Sequence, residues 1–131
     1  MTTSPASFIR RFYEARKLGD PEMLRPLIAA DVIWEEPEVA DKMGRLVGVD
    51  AVLDIIGQAL LVTDRTFQLS VTEAVETTTH CAAIISWSAE RDGKSIRGQE
   101  LALFRVADQQ IEFAAFYPEN IADDRAFWGE P

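Results

Sequence analysis

One cysteine, one histidine and a shortage of positive charge bound what this sequence can do. Cys81 has no partner for an internal disulfide. His80 stands directly before it, and neighbours in a strand point to opposite faces, so the two cannot converge on a metal. No other imidazole or thiolate exists to complete a site, and neither metal nor cofactor is expected. A Ser-His-Asp triad would have to run through His80, at the start of a strand and so at a sheet edge. The 13 Lys and Arg are outnumbered by 22 Asp and Glu, a net charge of -9. That balance argues against nucleic acid, which needs a basic face, and against an anionic membrane surface. No G-x-G-x-x-G or G-x-x-x-x-G-K-[ST] is present, so nothing points to nucleotide binding. No apolar run approaches a membrane span. The opening MTTSPASFIRR has no basic segment followed by an apolar run, so a secretory leader is not expected and the cytoplasm is the default.

What is there suffices for one domain over residues 1-131, with 47% apolar residues to build its core. SPASFIRRFYEARKLGD predicts an opening helix: Ser4 caps it, Pro5 takes its first position, and Phe8, Ile9, Phe12 and Tyr13 form one apolar stripe. Gly19 stops it, and Asp20-Pro21 starts a short second helix burying Leu24, Leu27 and Ile28. A strand containing VIWEEP follows and ends at Pro37, which cannot donate to a ladder. EVADKMGRLVG reads as an irregular loop, and Asp50 as the cap of a third helix with Val49, Leu53, Ile56 and Leu60 at helical spacing. From Thr66 the period drops to two. Phe67, Leu69 and Val71 alternate with polar residues, HCAAIISWSAER is a long run, and RDGK and ADQQ are the turns leading into SIRGQELALFRV and IEFAAFYP. DDRAFWGEP is expected to form a last helical turn, with Phe127 and Trp128 folding back. Three helices in the N-terminal half and a four-strand antiparallel meander make an α+β domain, helices on one face of a curved, mostly antiparallel sheet.

The chemistry centres on VIWEEP. Strand parity puts Val32, Trp34 and Glu36 on one face, and the bulk of Trp34 turns that face inward. Glu36 then has two readings. At a strand end it reaches water, as glutamates do; inside an apolar cavity it is desolvated, its pKa rises and it can exchange protons near neutral pH. The same parity groups Gly98, Glu100, Ala102 and Phe104, then Glu112, Ala114 and Phe116, then Cys81, Ala83, Ile85, Trp87 and Ala89. Alanines among Trp87, Phe104 and Phe116 suggest a concave surface with room left in it, or close packing of a helix. On the other face, Leu101 and Leu103 with Phe113 and Tyr117 leave an apolar patch that marks a homodimer interface unless Phe127 and Trp128 cover it.

In this order of elements the chain resembles the nuclear transport factor 2-like superfamily, a cone made by a curved sheet and three helices. SnoaL-like polyketide cyclases, limonene epoxide hydrolase and ketosteroid isomerase belong to it. FIRRFYEARKLGDPEMLRPLIAADVIWEEP, GRLVGVDAVLDII and LFRVADQQIEFAAFYPENI carry the resemblance. The isomerases place their general base in an acid-acid-Pro stretch, so the resemblance implies that role for Glu36 in EEP. Their oxyanion hole uses a Tyr and a protonated Asp; the matching positions hold Phe12, with Tyr13 one step around, and Ala102, and neither Phe12 nor Ala102 can donate. Steroid isomerisation by that mechanism is not expected, since one lost donor costs about a hundredfold or more. Cyclases of the SnoaL type use an acid near the end of the last strand, where Phe116 and Pro118 stand, with Glu119 a near neighbour. The hydrolase needs an Asp-Arg-Asp set; Glu36, Glu100 and Glu112 offer acids, and Arg16 could reach in from the cone mouth.

The expectation is a small-molecule protein of this superfamily, an isomerase, cyclase or hydrolase without a cofactor. Glu36 is the general acid or base, in a pocket formed by Phe12, Tyr13, Trp34, Trp87, Glu100, Ala102, Phe104, Glu112, Ala114 and Phe116. The partner is a small apolar or cyclic ligand. The alternative is a non-catalytic ligand-binding or dimeric assembly module of the same fold.

Overall fold

A computed structural model describes residues 3-36 and 44-129. Helix α1 (Pro5–Arg16) opens with the Ser4 side chain accepting from the Ser7 amide, and it buries Phe8, Ile9, Phe12 and Tyr13. A second N-terminal donor, the Ala6 amide, bonds the Glu76 carboxylate at 2.8 Å, which ties the helix start to a strand 70 residues away. Pro21–Leu27 is a 3₁₀ helix capped by Asp20. Pro26 within it has no N–H for an α ladder, and Ile28, expected on this helix, already begins strand β1 (Ile28–Glu36). Pro37 lies outside the described residues.

Gly44–Val47, expected to be irregular, is strand β2, paired antiparallel with β1 from Ile33↔Val47 to Glu36↔Gly44. Helix α2 (Val49–Val62) follows. Its cap is Gly48 rather than Asp50, and Asp50 instead accepts from Arg25 at 2.8 Å, clamping the 3₁₀ helix to the first turn of α2. The meander is as expected: β3 (Gln68–Glu76), β4 (His80–Arg91), β5 (Lys94–Ala107) and β6 (Gln110–Pro118). The β4–β5 and β5–β6 hairpin turns use left-handed residues, Asp92-Gly93 and Asp108-Gln109, as two-residue loops between twisted strands require. Helix α3 (Ile121–Trp128), capped by Asn120, is longer than the single turn expected.

The six strands form one sheet in the order β2-β1-β6-β5-β4-β3, with β1 parallel to β6 and the remaining pairs antiparallel. Helices α1 and α2 lie on its inner face. Between them and the sheet lies a fully buried aromatic group of Phe8, Phe12, Tyr13, Trp34 and Phe104. In a second cluster Phe127 packs with Trp87 and Ala89. Trp128 stacks on Trp87, with ring centroids 5.9 Å apart, and the Trp128 carbonyl accepts from Arg91. Phe127 and Trp128 therefore pack on Trp87 of β4 and not on the outer face of β5 and β6. On that outer face Leu101 and Tyr117, a cross-strand pair, stay 48% and 54% exposed, beside the partly exposed Leu103 and Phe113.

Candidate functional site

The inward face of β1 ends in a hydrogen bond between its own residues. Trp34 is buried against Phe116, at 4.8 Å between ring centroids, and against Phe12. Its indole Nε1–H donates to Glu36 Oε1 at 2.6 Å. Two residues apart on a strand is the spacing that puts a donor and an acceptor side by side on one face. Glu36 keeps some solvent contact, yet the surrounding protein desolvates its carboxyl and raises its pKa. The Trp34 N–H and the positive charge of Arg16 act in the opposite direction, favouring the anion.

Glu100 on β5 faces the same space. Burial first, and the Glu36 charge second, raise it to about 8, with Arg16 opposing both. The two carboxyls share the interior unequally. Glu36 has a hydrogen-bond donor that stabilises its charge, and Glu100 has none among the described residues. The Trp34 donor thus favours charge on Glu36 in a way nothing among the described residues does for Glu100, the kind of unlike environment that drives two carboxyls apart.

A third acid, Asp124 on α3, is not evident from sequence patterning. It is 8% exposed, burial raises it to about 6, and its charge acts on both Glu36 and Glu100. Glu119, the acid weighed near the end of the last strand, is exposed; the inward acid is five residues further on. The available signal is the spacing of Asp124 and Phe127 on one helix, since burial of Phe127 turns the residue three positions earlier the same way.

Tyr13 and Arg16 complete the site from α1. The Tyr13 ring meets Phe12 and Phe104 edge-on, and its buried hydroxyl has no hydrogen-bond partner among the described residues. Burial, then the charge of Glu100, raise its pKa well above 10.0, so it stays a neutral donor. The Arg16 guanidinium lies 5.7 Å from the Tyr13 ring centre.

An open cavity of about 740 Å³ adjoins this group, bounded by the end of α1 and by β3, β4 and β5; Tyr13, Arg16, Arg65, Phe67, Trp87 and Gly98 are among its walls. Gly98 makes room for the indole of Trp87, whose Nε1 would lie 3.3 Å from any Cβ built there.

Of the residues expected at the site, Phe12, Tyr13, Trp34, Trp87, Ala102, Phe104, Ala114 and Phe116 are all buried in the interior, and Glu36 and Glu100 are partly buried on inward faces. Ala102, Phe104, Ala114 and Phe116 are packed as core rather than left lining open space. Glu112 is not at the site. A bulge in the β5–β6 register pairs Arg105 with Phe113 and Val106 with Ile111, so Ile111 takes the inward place and Glu112 turns out to meet Arg105 at 3.5 Å. His80 and Cys81 diverge as expected: Cys81 is buried and His80 contacts Thr79 at the outer end of β4. No cluster of three metal-ligating side chains occurs among the described residues. Nor is any described helix long and apolar enough to cross a membrane.

A sequence profile for SnoaL-like domains matches residues 9–113. No curated protein sequence matches. Among solved structures, a protein of unknown function with a cystatin-like fold from Xanthomonas campestris aligns with a TM-score of 0.89 at 22% identity, covering 98% of this chain and 100% of its own. IdmH, a proposed polyketide cyclase from Streptomyces antibioticus, aligns at 0.77 and 20% identity over 91% of this chain and 94% of its own. TerC, co-crystallised with polyporic acid, aligns at 0.81 and 14% identity, covering 94% and 97%. At these identities the likeness concerns the fold.

Proposed function

We propose, because this chain belongs to the SnoaL-like domain family, that its cone takes up a small, mostly apolar metabolite and moves a proton on it, with Glu36 as base and Glu100 as acid. What supports this reading is the unequal pair: Glu36, whose anion the Trp34 N–H stabilises, and Glu100, which burial and the Glu36 charge raise to about 8. A base of that kind takes a proton from a C–H next to a carbonyl. The C–H electron pair moves into the carbonyl group, and the oxygen accepts a hydrogen bond or the proton of Glu100. Return of the proton to another carbon completes an isomerisation; attack of the same enolate on a second carbonyl is a cyclisation.

The acid donor missing at Ala102 is supplied two residues earlier. Gly98, Glu100 and Ala102 share the inner face of β5, so Glu100 stands one inward position from where the isomerases carry their protonated Asp. The resemblance to TerC, a structure solved with polyporic acid, supports an organic ligand in such a cone.

A panel of cyclic ketones and aryl carbonyl compounds tests the proposal in two steps. Ligands are first found by their rise in melting temperature, then followed in heavy water for exchange of the C–H proton. Exchange catalysed by the protein is the expected result. Binding without exchange across every stabilising ligand would assign the chain to the non-catalytic, ligand-binding alternative.

The exposed Leu101–Tyr117 pair favours a homodimer through the outer sheet face, since contiguous apolar surface of this kind marks interfaces. Sedimentation at micromolar concentration should show twice the chain mass, and Leu101→Glu with Tyr117→Glu should give a monomer. A wild-type chain that sediments as a monomer would remove the dimer.

A further inference from the structure

The acid group accounts for one end of the site only. At the other, the cavity wall is cationic, in a chain whose net charge is -9. Four basic residues line it: Arg16, Lys17, Arg65 and Arg97. Lys17 is neutralised by Glu14 at 3.0 Å. Arg65 donates to the Gly19 carbonyl at 2.7 Å, a contact that places the guanidinium without cancelling its charge. Gly19 makes that approach possible: its φ is +73°, and a side chain there would run into the Arg65 guanidinium. Arg16, partly buried, has a ring contact with Tyr13 and no carboxylate at ion-pair distance among the described residues. Three guanidiniums, of Arg16, Arg65 and Arg97, therefore line one cavity with no carboxylate at ion-pair distance among the described residues, and Arg16 acts on Glu36 and Glu100 only at longer range. A guanidinium presents a planar fork of donors that matches a carboxylate, and the partly buried Arg16 is left without that close partner unless a ligand brings one.

The remaining walls say what the rest of the ligand is. Phe67 and Trp87 meet edge to face at 5.5 Å, Leu69 adjoins them, and Gly98 lies under the indole. The rings of Phe67 and Trp87 give the cavity an aromatic wall that suits a flat body. Tyr13 lines this cavity, and its hydroxyl, buried and without a partner among the described residues, feels the charge of Glu100 and Glu36. An orphaned buried hydroxyl of this kind points to a polar group that ligand or water supplies.

We infer that the ligand is a planar aromatic carboxylate, its anionic end held at the cavity mouth by Arg16 and Arg65, its ring on Trp87 and Phe67, and its far edge turned toward Tyr13 and the acids. This names the ligand class of the site proposed above and rests on that reading for the chemistry at the far edge. Charge sets the orientation. The carboxylate is drawn to the guanidiniums and repelled from Glu36, so the uncharged edge must be the one that reaches the base.

The test compares 2-naphthoate with its neutral isostere 2-naphthamide, binding followed by Trp fluorescence and by calorimetry. The wild-type chain should prefer the carboxylate about tenfold, the worth of one charge-assisted hydrogen bond. Arg16→Gln should bring the preference down to about twofold or less, Arg16→Lys should retain part of it, and Glu36→Gln should leave it intact or strengthen it. Arg65→Gln, on the exposed side of the cavity, provides a second variant if Arg16→Gln does not fold. Equal binding of acid and amide by the wild type, or a preference unchanged in both arginine variants, overturns the inference. Proton exchange on neutral ligands with no carboxylate preference would overturn it alone and leave the acid–base reading standing. A carboxylate preference with no exchange on any ligand would do the reverse.

Discussion

Glu36→Gln is expected to lower turnover of a substrate found by the exchange screen by about a hundredfold or more while leaving the fold intact. The magnitude is that of losing a positioned general base. The amide is close in shape to the carboxylate, and its oxygen can still accept from Trp34 Nε1 at the place where Glu36 Oε1 now does, at 2.6 Å. What it cannot do is take a proton. The matched change Glu36→Asp keeps the chemistry and withdraws the carboxyl by one methylene, away from both the indole and the ligand, and should fall between wild type and Gln. Trp34→Phe separates the partner from the base. It removes the donor that favours the Glu36 anion, so the carboxyl should titrate higher and the pH at which exchange sets in should move up with it. A Glu36→Gln chain that exchanges substrate protons at the wild-type rate would take Glu36 out of the mechanism.

The second large effect needs no substrate. Glu100 titrates in the folded chain at about 8 against an ordinary 4.5, because burial and the neighbouring Glu36 charge disfavour its anion. Between those values the unfolded chain has given up the proton and the folded chain still holds it. Stability therefore falls as pH rises through that interval and levels off above it. Asp124, raised from 3.8 to about 6, adds its own fall over the lower part of the range. Each pH unit separating the folded and unfolded titrations is worth about 1.4 kcal/mol, reduced because solvent reaches part of Glu100, so the loss is roughly 2 to 4 kcal/mol. Glu100→Gln removes the group that must ionise, so the variant should show a flatter profile and exceed wild type at the alkaline end. Urea midpoints across the interval measure this directly. A wild-type profile that is flat there would contradict the burial of the acid pair.

Much of this was legible in the sequence because the strands alternate cleanly. HCAAIISWSAER is strand β4 to the residue, and its five inward positions are all buried. The placing of Glu36 beside Trp34 followed from parity alone and from the size of the indole. Parity misleads where the pattern is interrupted. Counting in twos puts Glu112 inside, and the bulge opposite Arg105 and Val106 breaks the count by one. Gly44–Val47 is a four-residue strand whose order comes from pairing with β1, which no local periodicity records. The 3₁₀ helix is set by Pro21 and Pro26, whose missing donors a helical wheel ignores. Asp50 has the chemistry of a cap, but the Arg25 guanidinium, 25 residues away, draws it off. Asp124 was hidden because α3 is a short helix of weak apolar contrast. Only the packing of Phe127 on Trp87 shows which side of it faces in.

All of the chemistry depends on two neighbouring carboxyls being treated differently by the interior of the cone. Carbon-13 NMR of the glutamate side-chain carboxyls, assigned with Glu36→Gln and Glu100→Gln, follows each of them through pH. The account predicts a Glu100 midpoint near 8, a Glu36 midpoint raised above the ordinary glutamate value, and a downward shift of Glu100 when Glu36 is made neutral. Two independent curves, both centred at the ordinary glutamate value and indifferent to each other's replacement, would contradict it.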